Sequence, residues 1–282
     1  MTESTAFPVW FITGCSSGLG LALATRLLER GNRVVATARE LASLTALRAA
    51  YPERCRTLAL DVTSAEQVRT AVAEAAAAFG GIDVVVSNAG YGLVGAVEET
   101  PNGLISRLFE TNFFGAVRVI QAVVPILRAQ RRGHVVVVSA AAVISNYPGF
   151  SFYGASKAAL ESVAESLATE IRPFGLKVTI VQPGPFRTRF IAGSLATAIP
   201  PETAYEGSSG KFLSFLKSID GKQAGDPAKA ADAIIAAVEA DRPPLRLVLG
   251  KYAIEKSRKR NAASERELET WAGVGLASDF EG

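Results

Sequence analysis

Val9-Trp10-Phe11-Ile12-Thr13-Gly14-Cys15-Ser16-Ser17-Gly18-Leu19-Gly20 is the stretch that decides how this chain folds. Four apolar residues in a row, without polar alternation, read as a strand buried on both faces. The run stops at Thr13-Gly14, and Leu21 to Glu29 then shows helical periodicity up to Gly31. A glycine-rich turn between a strand and a helix lets backbone N–H groups approach a phosphate at the positive helix end. The spacing here, G-x-x-x-G-x-G, differs from the G-x-G-x-x-G dinucleotide fingerprint. Taken alone, the turn also reads as a plain tight connection.

The same succession of apolar strand and periodic helix continues along the chain. Apolar strands are expected at Arg33 to Ala38, Thr57 to Leu60, Val84 to Val86, His134 to Ser139, Lys177 to Gln182 and Leu245 to Leu249. Helical segments separate them: one at about Ala65 to Phe79, with Thr63 or Ser64 as N-cap and Gly80-Gly81 as stop, and one from Pro101 to Arg131. Pro125 is expected to kink or break the latter. This order predicts an α/β fold, a doubly wound parallel sheet of about seven strands with helices on both faces. No linker, repeat or low-complexity tract divides residues 1–282, so one domain is expected, with a mobile substrate loop or lid at 186–225 and a helical extension at 251–282. Glycines at 193, 207, 210, 221 and 225 would let that loop move.

The bulk numbers exclude several classes. The chain has 282 residues, 49% apolar composition and a net charge of +3. Its densest basic cluster, Lys251 to Arg260, reads as an exposed helix rather than a nucleic-acid surface. Met1 to Ala6 is polar and unlike a signal peptide, and no stretch has the uninterrupted apolar length of a membrane span. Cys15 and Cys55 lack metal-ligand spacing and suggest a reducing, cytoplasmic setting. The single histidine, His134, begins a strand, away from the ligand end, and no metal site is expected.

Ligands in open α/β sheets sit at the carboxyl ends of strands. There the chain has Arg39 after the second strand, Asp61-Val62 after the third and Ser87-Asn88-Ala89-Gly90 after the fourth. An acidic residue after strand two would suit the ribose hydroxyl of NAD, and an arginine suits the phosphate of NADP. Arg39 favours NADP(H), with Glu40 next to it a natural residue for a helix's first turn. Asp61 could meet an adenine amino group or could serve as a turn residue. Tyr153-Gly154-Ala155-Ser156-Lys157 puts Tyr153 and Lys157 on one helix face. An ammonium beside a phenol lowers its pKa, and such a tyrosine can exchange a proton with a carbonyl or alcohol oxygen. The same spacing recurs at Tyr252 and Lys256, which reads as a solvated helix face. Asn112 lies within an apolar helix and needs partners if buried.

Together these motifs resemble the short-chain dehydrogenase/reductase family over roughly Val9 to Gly250, in particular its NADP-preferring members, with a tail similar to the hydroxysteroid- and retinol-dehydrogenase-like branch. The resemblance implies a Rossmann-like fold and an NADP(H)-dependent oxidoreductase, a reversible ketone reductase acting on a bulky apolar substrate, assembled as a homodimer or homotetramer. It implies cofactor contacts from Gly14, Ser16, Ser17, Gly18, Leu19 and Gly20 in the loop. Further contacts are implied from Arg39, Asp61, Val62, Asn88, Ala89 and Gly90, and from Tyr153, Lys157, Pro183, Gly184, Phe186 and Thr188. Tyr153 would give the proton, Lys157 would lower its pKa and hold the nicotinamide ribose, and Asn112 would position a relay water. The family's catalytic serine lies thirteen residues before the tyrosine, a count that here reaches Ala140. Ser139, one residue off, points the other way on an extended strand end. Ala140 is therefore either an inactivating Ser-to-Ala substitution or a natural variant. Two alternatives follow from it: a catalytically silent NADP-binding protein, or a dehydratase or epimerase on the same fold. An apolar substrate pocket is expected from Val143, Ile144, Tyr147, Phe150, Phe190, Tyr205, Phe212 and Phe215.

Overall fold

A computed structural model describes residues 8–200 and 202–280; the polar segment Met1–Ala6 lies outside the described residues. The chain runs β1 (Val9–Ile12), α1 (Gly18–Glu29), β2 (Arg33–Ala38), α2 (Thr45–Ala50), β3 (Cys55–Ala59), α3 (Ala65–Phe79), β4 (Val84–Ser87) and β5 (Gly92–Val94). It continues through α4 (Asn102–Phe109), a π-helical turn (Glu110–Gly115), α5 (Ala116–Gln130), β6 (Gly133–Val138), α6 (Ala141–Ile144), α7 (Ser151–Ile171) and β7 (Leu176–Pro183). It ends with α8 (Phe190–Gly193), β8 (Leu195–Thr197), α9 (Lys211–Ser218), α10 (Pro227–Glu239), β9 (Arg246–Leu249) and α11 (Lys251–Leu276).

The seven-stranded sheet has the order β3-β2-β1-β4-β6-β7-β9, and every pairing in it is parallel. The strands read as unbroken apolar runs because each face carries its own helix layer. Phe11, Val35, Val85, Val135 and Val137 face α3, α5 and α7. Trp10, Ile12, Val34, Val86 and Val136 face α1 and α10. Strand order reverses between β1 and β4, and a doubly wound sheet opens its ligand crevice at that point.

Local chemistry sets the helix ends. Ser64 caps α3 by accepting from Gln67 N at 3.3 Å, and Gly80 ends it in the left-handed region at φ 78°. Two expectations for the region 101–131 are corrected. Pro101 is the N-cap rather than the first helical residue. Helix α5 continues through Pro125, and the irregularity falls instead at the π-helical turn around Asn112. Such turns arise where one residue is in excess of the regular ladder and often mark functional sites. The span Asn102–Gln130 is also long and apolar enough, by length and composition, to cross a membrane, which the sequence reading did not anticipate. Here Leu108, Val119, Ile120, Val123 and Leu127 are buried within the protein.

A small parallel pair, β5 with β8, has no counterpart in the sequence reading. It ties the 186–225 segment to the chain just after β4. Three-residue strands are too short to show periodicity, so they form only where tertiary contacts supply a partner.

Candidate active site

The glycine-rich loop is held by β4. Thr13 Oγ1 accepts from the Asn88 and Ala89 N–H groups at 3.0 Å each, and Asn88 Nδ2 donates back to the Thr13 and Gly14 carbonyls at 2.8 and 3.0 Å. Gly14 has φ 72°, and a Cβ there would come within 2.9 Å of Ala89 Cα, so glycine is required. Gly20 packs against the Asn88 side chain and the Gly14 carbonyl, beneath the cavity rather than on its wall. The result is a strand end whose backbone N–H groups and first helix turn open into a single large cavity.

That cavity measures about 1030 Å³ and joins the ends of β1, β2, β3, β4, β6 and β7. It is lined by Gly14, Ser16, Ser17, Gly18 and Leu19 of the loop, by Arg39, Asp61, Val62, Asn88, Ala89 and Gly90, and by Tyr153, Lys157, Pro183, Gly184, Phe186 and Thr188. The residues implied for a dinucleotide thus share one space, with Gly20 just behind it. Their chemistry fits such a group: backbone N–H groups at a helix start, small residues at the strand ends and an exposed arginine after β2. Asp61 uses Oδ1 to accept from Thr63 N and Oγ1 at 2.9 and 2.8 Å, a turn role that keeps the carboxylate at the cavity edge.

Tyr153 and Lys157 lie on the first two turns of α7, both buried, and both reach the cavity. Lys157 Nζ donates to the Val138 carbonyl at 2.9 Å. Burial lowers its pKa to about 8, with Glu161 opposing the shift. Burial likewise pushes the Tyr153 phenol above its ordinary value of 10. Burial alone sets this direction, because a desolvated phenolate is costly, and the Lys157 ammonium is turned to Val138. Tyr153 is accordingly a protonated donor.

Asn112 is fully buried, and its amide is spoken for. Oδ1 accepts from Tyr91 N at 3.0 Å, and Nδ2 donates to Tyr91 O at 2.9 Å and to Ser156 Oγ at 3.2 Å. It ties the π-helical turn to the segment after β4 and to α7. Gly90 keeps this junction open, since a Cβ there would lie 2.9 Å from Asn112 Oδ1 and 3.2 Å from Lys157 Nζ.

Ala140 lines the cavity beside Tyr153 and Phe150. Ser139 faces the opposite way, as the strand alternation implies, and donates to Glu161 Oε1 at 2.5 Å. The same buried carboxylate accepts from Gln182 Nε2 at 3.0 and 2.9 Å and lies 3.8 Å from Arg246 Nε. The Ser139 hydroxyl is thus committed to Glu161, one turn beyond Lys157 on α7. His134 is also structural: it lies 2.9 Å from Thr179 Oγ1, and burial lowers its pKa to about 4.

Beyond Tyr153 the cavity becomes an aromatic chamber. Phe150 contacts Tyr153 with ring centroids 5.0 Å apart, and Phe190 meets Tyr153 at 5.8 Å. Phe212 and Phe215 also line it, as the sequence suggests. Val143, Ile144 and Tyr205 do not: the α6 turn presents Ala142 to the cavity, and the Tyr205 hydroxyl donates to Glu98. Sequence reading missed Leu195 and Ile191, which the β5–β8 pair brings in, and Tyr252 from α11. Tyr252, expected on a solvated face, is 47% exposed and also lines this chamber, while Lys256 lies over the Tyr147 ring. The repeated Tyr-x-x-x-Lys spacing was the available signal.

Comparison with known proteins agrees with this geometry. Residues 8–197 match the family model described as short chain dehydrogenase. Oxidoreductase BOA17 of Botryotinia fuckeliana is 38% identical over 96% of this chain and 98% of its own length. Retinol dehydrogenase 8 of Homo sapiens is 36% identical, covering 83% of this chain and 79% of its own. A solved short-chain dehydrogenase from Streptomyces avermitilis is 40% identical, with a TM-score of 0.90, over 96% of this chain and 100% of that one.

Proposed function

This chain belongs to the short-chain dehydrogenase family and is an oxidoreductase, and from that premise we propose that it reduces the carbonyl of a bulky apolar substrate with NADPH. The observation that carries the reading is the single cavity in which the glycine-rich loop, the buried Tyr153–Lys157 pair and an aromatic chamber meet. NADPH, when bound, supplies the hydride. The chain supplies the rest. Loop N–H groups and the exposed Arg39 would hold the phosphates, with the guanidinium pairing the ribose phosphate through charge-assisted bonds. Lys157 has three donors and spends one on Val138, so others are free to hold the ribose.

The protonated Tyr153 stands between this region and the chamber. Its O–H donates to a carbonyl oxygen as negative charge grows there, and the proton then passes to that oxygen as the alcohol forms. Lys157 keeps a positive charge beside the developing tyrosinate. Asn112 supports the pair by fixing Tyr91 and Ser156 rather than through a free amide. Ala140 offers no second donor, so turnover is slow for this architecture. The aromatic walls, and the relatedness to retinol dehydrogenase 8, support an apolar substrate. The segment 186–225 roofs the chamber and would open to admit it.

Tyr153→Phe tests the reading. NADPH oxidation with a panel of bulky apolar ketones should fall about 10²–10⁴-fold, the range for losing a general acid. NADPH binding, followed by its fluorescence, should persist. Unchanged turnover in that variant would overturn the assignment.

A further inference from the structure

The chain's second Tyr-x-x-x-Lys pair, Tyr252 and Lys256, takes no part in the chemistry above. It occupies the first two turns of α11, which packs against α6. The Tyr252 hydroxyl lies 2.5 Å from the Tyr147 hydroxyl, and both residues line the cavity. The Tyr147 ring stacks on Phe212 with centroids 5.1 Å apart and planes 9° from parallel. Lys256 Nζ sits 3.4 Å from the centroid of the same ring. Two groups this close to one ring occupy its opposite faces. Lys256 Nζ is buried and has no hydrogen-bond partner among the described residues.

A buried ammonium without an anion is unfavourable, and the ring face offsets only part of the cost. Burial lowers its pKa to about 8, which leaves it mostly charged at neutral pH. Beside it stand two hydroxyls. One donates to the other, which leaves one O–H free to donate into the cavity. A cation against the Tyr147 ring draws electron density from the phenol and makes it a stronger donor. The site therefore has positive potential, a free donor and, among the described residues, no anion hydrogen-bonded to the ammonium.

We propose that Tyr147, Tyr252 and Lys256 form an anion subsite at the far end of the chamber, which receives a carboxylate carried by the substrate opposite its reacting carbonyl. This rests on the reductase reading and narrows it to apolar oxo acids. The two polar ends are separated by aromatic surface: Tyr153 touches the Phe150 ring at 5.0 Å, and Phe150 touches Tyr147 at 6.3 Å. Short keto acids cannot span that distance. Lys256 acts through the Tyr147 ring, and the hydroxyls make the contact.

Calorimetry with decanoate and decanol separates the subsite from the chemistry, because neither probe needs turnover. Decanoate should bind about tenfold or more tighter than decanol, the range for a hydrogen bond to a charged group. Lys256→Met and the double variant Tyr147→Phe/Tyr252→Phe should each bring that ratio close to one. The double variant keeps both rings and carries the test if the other fails to fold. Equal binding of the two probes, or a ratio that survives in both variants, overturns the proposal. With a matched long-chain oxo acid and its methyl ester, the acid should have the lower KM and a similar kcat. If neither is reduced while decanoate selectivity stands, the reductase reading fails and the subsite holds.

Discussion

Ala140→Ser should turn a slow enzyme into a fast one. Residue 140 lines the cavity next to Tyr153, and its backbone is extended (φ −160°, ψ 154°) as the N-cap of α6. A serine hydroxyl placed there has two uses that do not compete. Its oxygen can accept from an N–H in the first turn of α6, and its proton remains free to donate to the carbonyl oxygen. A preorganised donor of this kind is worth about 10²–10³ in rate, or about 2.7–4 kcal/mol of barrier. The cap adds about 1 kcal/mol of stability. The resident Ser139 cannot supply the donor, because its hydroxyl is held by Glu161 at 2.5 Å. Ala140→Ser should therefore raise kcat/KM by about 10²-fold or more on ketones that the parent reduces, as followed by NADPH absorbance. It should also raise the melting temperature slightly and leave the NADPH dissociation constant nearly unchanged. Adding Tyr153→Phe should abolish the gain. A serine variant no faster than the parent, yet folded and able to bind NADPH, would refute the reasoning.

Three further outcomes are expected. Arg39→Asp should weaken NADPH binding about 10- to 100-fold, the range for losing a charged hydrogen bond, and should spare NADH; an unchanged preference in fluorescence titrations would remove Arg39 as the selector. Lys157 has its pKa lowered to about 8, so kcat/KM should fall as pH rises through that value as its charge is lost. The profile should be measured in Lys256→Met as well, because Lys256 also titrates near 8; a flat profile there would show that the Lys157 charge is not needed. His134 is held neutral to about pH 4 against an ordinary 6.5, so the unfolded chain takes up its proton first, and stability should drop as pH falls from 6.5 towards 4. Denaturant midpoints for His134→Gln should lack that part of the slope.

The amino-acid sequence by itself determined the fold. Apolar strands without alternation, each followed by a turn and a periodic helix, leave a parallel sheet covered on both faces as the stable arrangement. It also determined which residues stand at the strand ends, and so Gly14, Asn88, Tyr153 and Lys157 reach one crevice as expected. These features are local, written in periods of two and 3.6 residues. The strand alternation also set Ser139 and Ala140 on opposite sides of the strand end, and Ser139 bonds Glu161 of α7. Tertiary structure alone decided the rest. The π-helical turn carries Asn112, whose amide binds Tyr91 and Ser156, 21 and 44 residues away. The phenol of Tyr153 is pushed up by burial, and the Lys157 ammonium is turned to the Val138 carbonyl. Tyr252 lies 105 residues from Tyr147, and only the return of α11 across α6 makes them partners. No periodicity encodes such a meeting, because its energy comes from surfaces that do not exist until the sheet and its helices have packed.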